Sequence, residues 1–231
     1  MLPILYRRPL SLAFMASAVL FSATAPCGTQ PEHPNASNIS MGMRELGKQL
    51  EVGDVVFIRI PSQPFAEVAS TTSSWTNHVG IVTDVSGEEP VIAESRVPLS
   101  GETNWSSFVK RTDMGRVAVT RLPIPLDMRQ QNKLKQAVEA RRGILYDTGF
   151  DLHSRRQFCS RYVREVLHEA SGVELGEIEN FETLLKQNPR ANQGFWRIWY
   201  FGDIPWQRET VTPASLLRDS SMRVVFDGQV Q

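Results

Sequence analysis

The chain has 231 residues, 41% of them hydrophobic and 22% charged, which suits a globular domain with one sizeable core. Its 25 basic residues match its 25 acidic ones, so no basic surplus points to a nucleic-acid partner. Two cysteines, Cys27 and Cys159, with no Cys-x-x-Cys pair and four scattered histidines, make neither a disulfide framework nor a closed structural zinc site.

Arg7 and Arg8 precede an apolar run, Leu10 to Phe21, that is short for a bilayer span, and Ala23-Thr24-Ala25 follows as a cleavage-type tripeptide. Residues 1–25 read as an export leader, which would deliver a periplasmic protein. Lipid attachment at Cys27 is a second reading and would tether the chain to a membrane. A true start at Met41 or Met43 would instead leave it cytoplasmic. Residues 26–43, rich in Pro, Asn and Ser, read as a linker, and 44–231 as the folded domain.

Within that domain, Val55 to Ile60 is a β-branched run that predicts a strand. A short helix is expected over 65–73, then strands over 79–83 and 91–94 joined by a turn at Ser86-Gly87-Glu88-Glu89, and a fourth strand over 116–122. Asp127 can cap a helix that runs to about Arg142 and stops at Gly143. Phe158, Tyr162, Val163, Val166, Leu167 and Ala170 fall at helical spacing, with Gly172 as the stop. Ser154 and Gln157 fit a capping box at the start of that helix. A further helix is expected over 178–187. The aromatics from Phe195 to Trp206 read as core and cover packing more than as a cleft lining. Strands early and helices late predict an α+β domain, an antiparallel sheet packed on helices.

The chemistry-bearing candidate is Cys159. A lone cysteine is usually a small buried hydrophobe. Here it sits early in a helix, where unpaired amides and the dipole favour a thiolate, among Arg155, Arg156 and Arg161. His78, at the start of the second strand, is the candidate base. A turn centred near Ser86-Gly87 would bring His78 opposite Glu94, which could fix its tautomer and leave the other ring nitrogen for Cys159. A one-residue slip of register would put Glu94 on the wrong face. His153 is a competing histidine, nearer in sequence; His168 falls on about the opposite helix face. Asp54 reads as a turn cap. Gln157 and Tyr146 are candidates for a second oxyanion donor beside the Cys159 amide.

Asn77-His78-Val79-Gly80-Ile81-Val82, then Val91-Ile92-Ala93-Glu94-Ser95, then Arg156-Gln157-Phe158-Cys159-Ser160 resemble the YiiX/YaeF/YebB group of permuted papain-like proteins in the NlpC superfamily. Ala93 to Ser100 and Thr210 to Leu216 place the resemblance nearest the YebB type, over about residues 52–217. It implies a circularly permuted papain-like (NlpC-like) fold, with Cys159 as nucleophile, His78 as base and Glu94 as the third polar residue. No cofactor and no metal are expected; a zinc site built from Cys159 and His78 with Glu94 is a further option, to which a cysteine at a helix start is less suited than to a thiolate nucleophile. The activity implied is cysteine amidase or peptidase chemistry through an acyl-cysteine, on a small-molecule, peptide or lipid substrate, with cell-wall peptide and lipid-linked amides both open. A lipid acyltransferase or thioesterase with the same nucleophile, and a binding module without catalysis, are the alternatives.

Overall fold

Consecutive β-branched and aliphatic residues, rather than a polar/apolar alternation, mark strands buried on both faces. Val55, Val56, Phe57 and Ile58 are such a run, and all four are fully buried. The computed structural model describes residues 39–231; the readings made for residues 1–38, the leader and Cys27 among them, lie outside the described residues. The first elements are β1 (Ser40–Met41), α1 (Met43–Lys48), β2 (Val55–Ile58), α2 (Gln63–Thr71), β3 (His78–Asp84), β4 (Val91–Glu94) and β5 (Gly101–Asn104). There follow α3 (Trp105–Val109), a single 3-10 turn, β6 (Arg116–Arg121), α4 (Met128–Ala140) and α5 (Cys159–Ser171). The chain ends with β7 (Ile178–Asn180), α6 (Phe181–Gln187), α7 (Gln193–Trp199), β8 (Glu209–Val211), α8 (Pro213–Leu217) and β9 (Arg223–Val230).

Seven strands form one sheet in the order β1-β9-β6-β2-β3-β4-β5, antiparallel except where β1 meets β9. One face packs on α4 and α5 through Val79, Ile81, Leu134, Val163 and Leu167; the other is covered by α1 and α3 through Leu46, Trp105 and Phe108. This is the α+β architecture expected, an antiparallel sheet packed on helices. The Asp127 cap forms as a full capping box, with Gln130 returning the bond, and Gly172 ends α5 in the left-handed conformation.

Two expectations change. The helix expected over 178–187 begins only at Phe181, because Ile178–Asn180 is drawn into a ladder with β8 and the Asn180 side chain then caps α6. The sheet also starts earlier than the folded domain was expected to, since Ser40 and Met41, inside the stretch read as linker, pair with β9. Strand β9 alternates buried Phe226, Gly228 and Val230 with the more exposed Asp227 and Gln229, and Gly228 holds an inward place where an apolar side chain would otherwise stand. A Cβ there would collide with the Ile39 carbonyl of the adjoining chain.

Asp54 does cap its turn, accepting the Glu51 N–H at 2.8 Å, and it also holds Arg121 in a two-pronged ion pair at 2.6 and 2.7 Å. The carboxylate is fully buried. Burial pushes its pKa up, and Arg121 opposes that. Asp54→Ala would leave a nearly buried guanidinium short of its main partner, so the urea midpoint should fall by the equivalent of about 3 kcal/mol. An unchanged midpoint would show that Glu51, also paired with Arg121, suffices alone.

Candidate active site

The site is built where the first residue of β3 meets the first residue of α5. The chain before α5 cannot be helical. Gln157 is held extended, its N–H on the Leu145 carbonyl at 3.0 Å and its own carbonyl accepting from Asp147 N–H at 2.7 Å and Ser95 Oγ at 3.0 Å. Phe158 is extended too and serves as N-cap, without a side chain that can accept. The capping box expected from Ser154 and Gln157 therefore does not form: Ser154 Oγ accepts from Arg156 N–H, five residues before the helix starts. The consequence is chemical. No side chain takes up the leading amides of α5, so they stay available to an anion at Cys159.

His78 is fully buried, its ring flanked by Phe65 at 6.0 Å and Phe108 at 5.8 Å. The ladder pairs Ile81 with Ala93, which sets Glu94 level with Gly80 rather than with His78. The turn centres later than Ser86-Gly87, and a bulge between Val82 and Asp84 takes up one residue. The resulting two-residue offset keeps His78 and Glu94 on one face, as an odd offset would not. As diagonal neighbours they meet, His78 Nε2 to Glu94 Oε2 at 2.6 Å. Gly80 must be a glycine here, because a Cβ would press within 2.6 Å of Ile92 and 2.9 Å of Phe108, the ring that backs His78.

Nδ1 of His78 is buried and makes no hydrogen bond. Burial works to lower the His78 pKa, but Cys159 and then Glu94 outweigh it and raise it to about 9. Burial likewise works to raise the Cys159 pKa, and His78, the Tyr146 hydroxyl and the Val79 N–H bring it below the usual thiol value. The pair thus favours thiolate and imidazolium. Tyr146 Oη–H lies 3.9 Å from the sulfur; burial first, and then Cys159, push its pKa far up, so it stays a donor.

Other sequence candidates lie elsewhere. The Gln157 amide donates to Glu165 at 2.8 Å and lines no cavity with Cys159, so it does not stand as an oxyanion donor. Arg161 is turned to the same Glu165 at 2.7 Å, while Arg155 and Arg156 are exposed. His153 sits in solvent, paired with Glu209 at 2.7 Å, and His168 is exposed. Trp196 is buried as expected, yet it also lines a narrow apolar cavity of about 40 Å³ that opens on Cys159. Phe65, Val68, Phe150, Phe158 and Leu184 are among the other apolar residues of its wall. Phe150 is held there in the left-handed region (φ 51°) by a turn on the Asp147 carboxylate, which accepts from Gly149 and Asp151 N–H.

Sequence reasoning missed Arg111. It follows α3 and reaches back to Glu94 Oε1 at 2.7 Å, with its guanidinium over the Phe108 ring; Arg96 adds a weaker contact at 3.7 Å. Burial pushes the Glu94 pKa up, but His78 and Arg111 carry it below the usual carboxylate range. Glu94 works ionised, above that lowered pKa, and removing Arg111 should raise that pKa. An NMR titration of the Glu94 carboxyl carbon in Arg111→Met checks this, and an unmoved titration would mean that His78 and Arg96 suffice to keep Glu94 charged.

Among the described residues no group of three His, Cys, Asp or Glu side chains is placed to hold a metal ion.

The family described as permuted papain-like amidase enzyme, YaeF/YiiX, C92 family, matches residues 49–226. The uncharacterized protein YiiX of Escherichia coli (strain K12) is 25% identical over 168 residues, 73% of this chain and 82% of that protein. A crystal structure described as metalloprotein YiiX from Escherichia coli O157:H7 superposes with a TM-score of 0.71 at 25% identity, covering 78% of this chain and 99% of that one.

Proposed function

This chain belongs to the permuted papain-like amidase family of YaeF/YiiX type, and on that footing we propose that it hydrolyses amides whose acyl part is apolar, through an acyl thioester on Cys159. The observation that carries the acyl preference is the cavity beside the sulfur. Its wall is mostly aromatic and aliphatic, interrupted by Thr71, Thr72, Asn77, Thr210 and Thr212, and at about 40 Å³ it has room for roughly three water positions or a short aliphatic group. The one indole N–H directed into its neighbourhood, that of Trp196, is already bound to Thr71 Oγ1 at 2.8 Å. Such a wall supports a lipid-like acyl group over a cell-wall peptide.

The Cys159 thiolate attacks the carbonyl carbon, and the carbonyl oxygen becomes an oxyanion that the Cys159 N–H and the Tyr146 hydroxyl can receive. His78 gives its Nδ1 proton to the departing amine as the C–N bond breaks, leaving the acyl thioester and a neutral imidazole. Nδ1 then takes a proton from water, the hydroxide attacks the thioester, and the C–S bond breaks to release the acyl group as the carboxylic acid, which gives its proton to solvent, with thiolate and imidazolium restored. Glu94 accepts from Nε2–H throughout and stabilises the cation.

The same cavity supports a second reading, in which an acyl thioester is the substrate or an amine or alcohol replaces water as acceptor. The test is to offer straight-chain acyl p-nitroanilides, the matching acyl thioesters and polar aminoacyl p-nitroanilides, and to read product release together with the intact mass of the protein. A Cys159-borne acyl adduct with the aliphatic anilides supports the amidase; turnover of thioesters alone selects the second reading. Turnover confined to the aminoacyl anilides would sink the apolar preference.

A further inference from the structure

Helix α7 and the turn after it face two ways. Inward, Trp196 lines the cavity beside Cys159, Trp199 donates to the Thr148 carbonyl at 2.9 Å, and the Tyr200 hydroxyl donates to that of Gly149 at 3.1 Å. These bonds fasten the segment to the loop that carries Phe150. Outward, Ile198 is 81% exposed and Phe201, three residues on, is 100% exposed. Phe201 adopts φ 55°, a left-handed backbone that a bulky side chain takes at a cost. A core would not keep an aromatic there, since the side chain has no partner in the fold. Trp206, on the same stretch, is also partly exposed.

Charge points to one kind of partner. From Lys186 to Arg208 the chain carries four cations, Lys186, Arg190, Arg197 and Arg208, against one acid, Asp203, in a protein of zero net charge. Lys186 is paired with Glu182, and Arg208 donates to the Gly149 carbonyl and lies over the Tyr200 ring. Arg190 and Arg197 are exposed and pair with no carboxylate among the described residues. Apolar side chains projecting from a short helix, flanked by unpaired arginines, have the chemistry that inserts at the headgroup boundary of an anionic bilayer.

We propose that α7 and its turn are a membrane-contact element, with Ile198 and Phe201 entering an anionic lipid surface and Arg190 and Arg197 meeting its headgroups. The same segment walls the cavity beside Cys159, so the contact would bring that cavity to the lipid. The proposal does not depend on which bond Cys159 cleaves, because its readout is binding.

The experiment compares the full chain with the double variant Ile198→Ser/Phe201→Asn, asparagine being at ease in the left-handed backbone. Co-sedimentation is measured with vesicles of phosphatidylglycerol and phosphatidylethanolamine, and with phosphatidylcholine alone. Both chains keep residues 1–38, so any contribution from that stretch is common to them. The wild type should partition onto anionic vesicles and less onto phosphatidylcholine, and the double variant should lose at least about tenfold in partitioning, with an unchanged urea midpoint. Arg197→Glu should weaken binding to the anionic vesicles only. Equal binding by wild type and double variant would overturn the proposal. So would a wild type that ignores vesicles but forms a dimer in sedimentation velocity that the double variant abolishes, because the patch would then meet a second copy of the chain.

Discussion

Cys159→Ala is expected to lower amide hydrolysis by about 10⁴-fold or more, because no other cysteine lines the cavity to form the acyl thioester. Ser160, the next residue in the cavity wall, cannot substitute: its hydroxyl is buried and donates to the Val211 carbonyl at 2.7 Å. The loss should fall on kcat, since the apolar wall that binds the acyl part is untouched. Stability should change little, as the substitution removes one sulfur atom from a site already beside a cavity. A companion spectroscopic effect separates this account from simple damage. The sulfur is the strongest influence raising His78, so in Cys159→Ala burial should prevail more and the imidazole should titrate well below about 9. NMR of the His78 ring across pH reads this directly. Activity within tenfold of wild type, or an unmoved His78 titration, would sink the assignment of Cys159 as nucleophile.

The parts of this fold and site that could be read from the sequence are those specified by neighbours along the chain. Val55 to Ile58 announces a buried strand by composition alone, and Asp127 with Gln130 announces a helix start by a local reciprocal bond. His78, Glu94 and Cys159 stood out because their residue types sit at a strand start, a strand end and a helix start, and the structure brings all three together. The exact pairing of His78 was beyond local reading, since the bulge at Thr83 depends on how the whole hairpin seats on the core. The face survived only because the error was even.

What escaped is what the tertiary structure assembles. Ser154 and Gln157 match a capping box, but the long-range bonds of Gln157 to Leu145, Asp147 and Ser95 hold the chain extended past them. Arg111 lies 17 residues from Glu94 with no pattern to link them. One signal did exist: a carboxylate placed beside a buried histidine needs charge compensation, which should prompt a search for an arginine. The cavity draws its wall from α2, α5, α6, α7 and the loop at Phe150, so no single window of sequence could disclose it. The aromatic stretch at 195–206 was read as packing. That holds for Trp196, but Phe201 stands wholly in solvent, and a composition count cannot separate the two.

His78→Ala should abolish the low-pH reactivity of Cys159 along with hydrolysis. In the wild type the thiol pKa is lowered and the imidazole pKa is raised to about 9, so thiolate and imidazolium coexist from the lowered thiol pKa up to about pH 9. Below that window the sulfur is protonated. Above it the imidazolium is lost, and with it the proton for the leaving amine, so hydrolysis should follow a bell whose alkaline limb lies near 9. Alkylation needs only the thiolate and should therefore stay high through the alkaline limb where hydrolysis fails. Removing His78 leaves burial as the main influence on Cys159, which pushes its pKa up. At about pH 6 an ordinary thiol holds well under a hundredth of its molecules as thiolate, so alkylation there should slow by about 10²-fold. The measurement is the iodoacetamide rate against pH, followed on the Cys159 peptide in a chain carrying Cys27→Ser. Equal rates in wild type and His78→Ala at low pH would mean that the α5 amides and Tyr146 alone sustain the thiolate, and His78 would lose its place as the proton carrier.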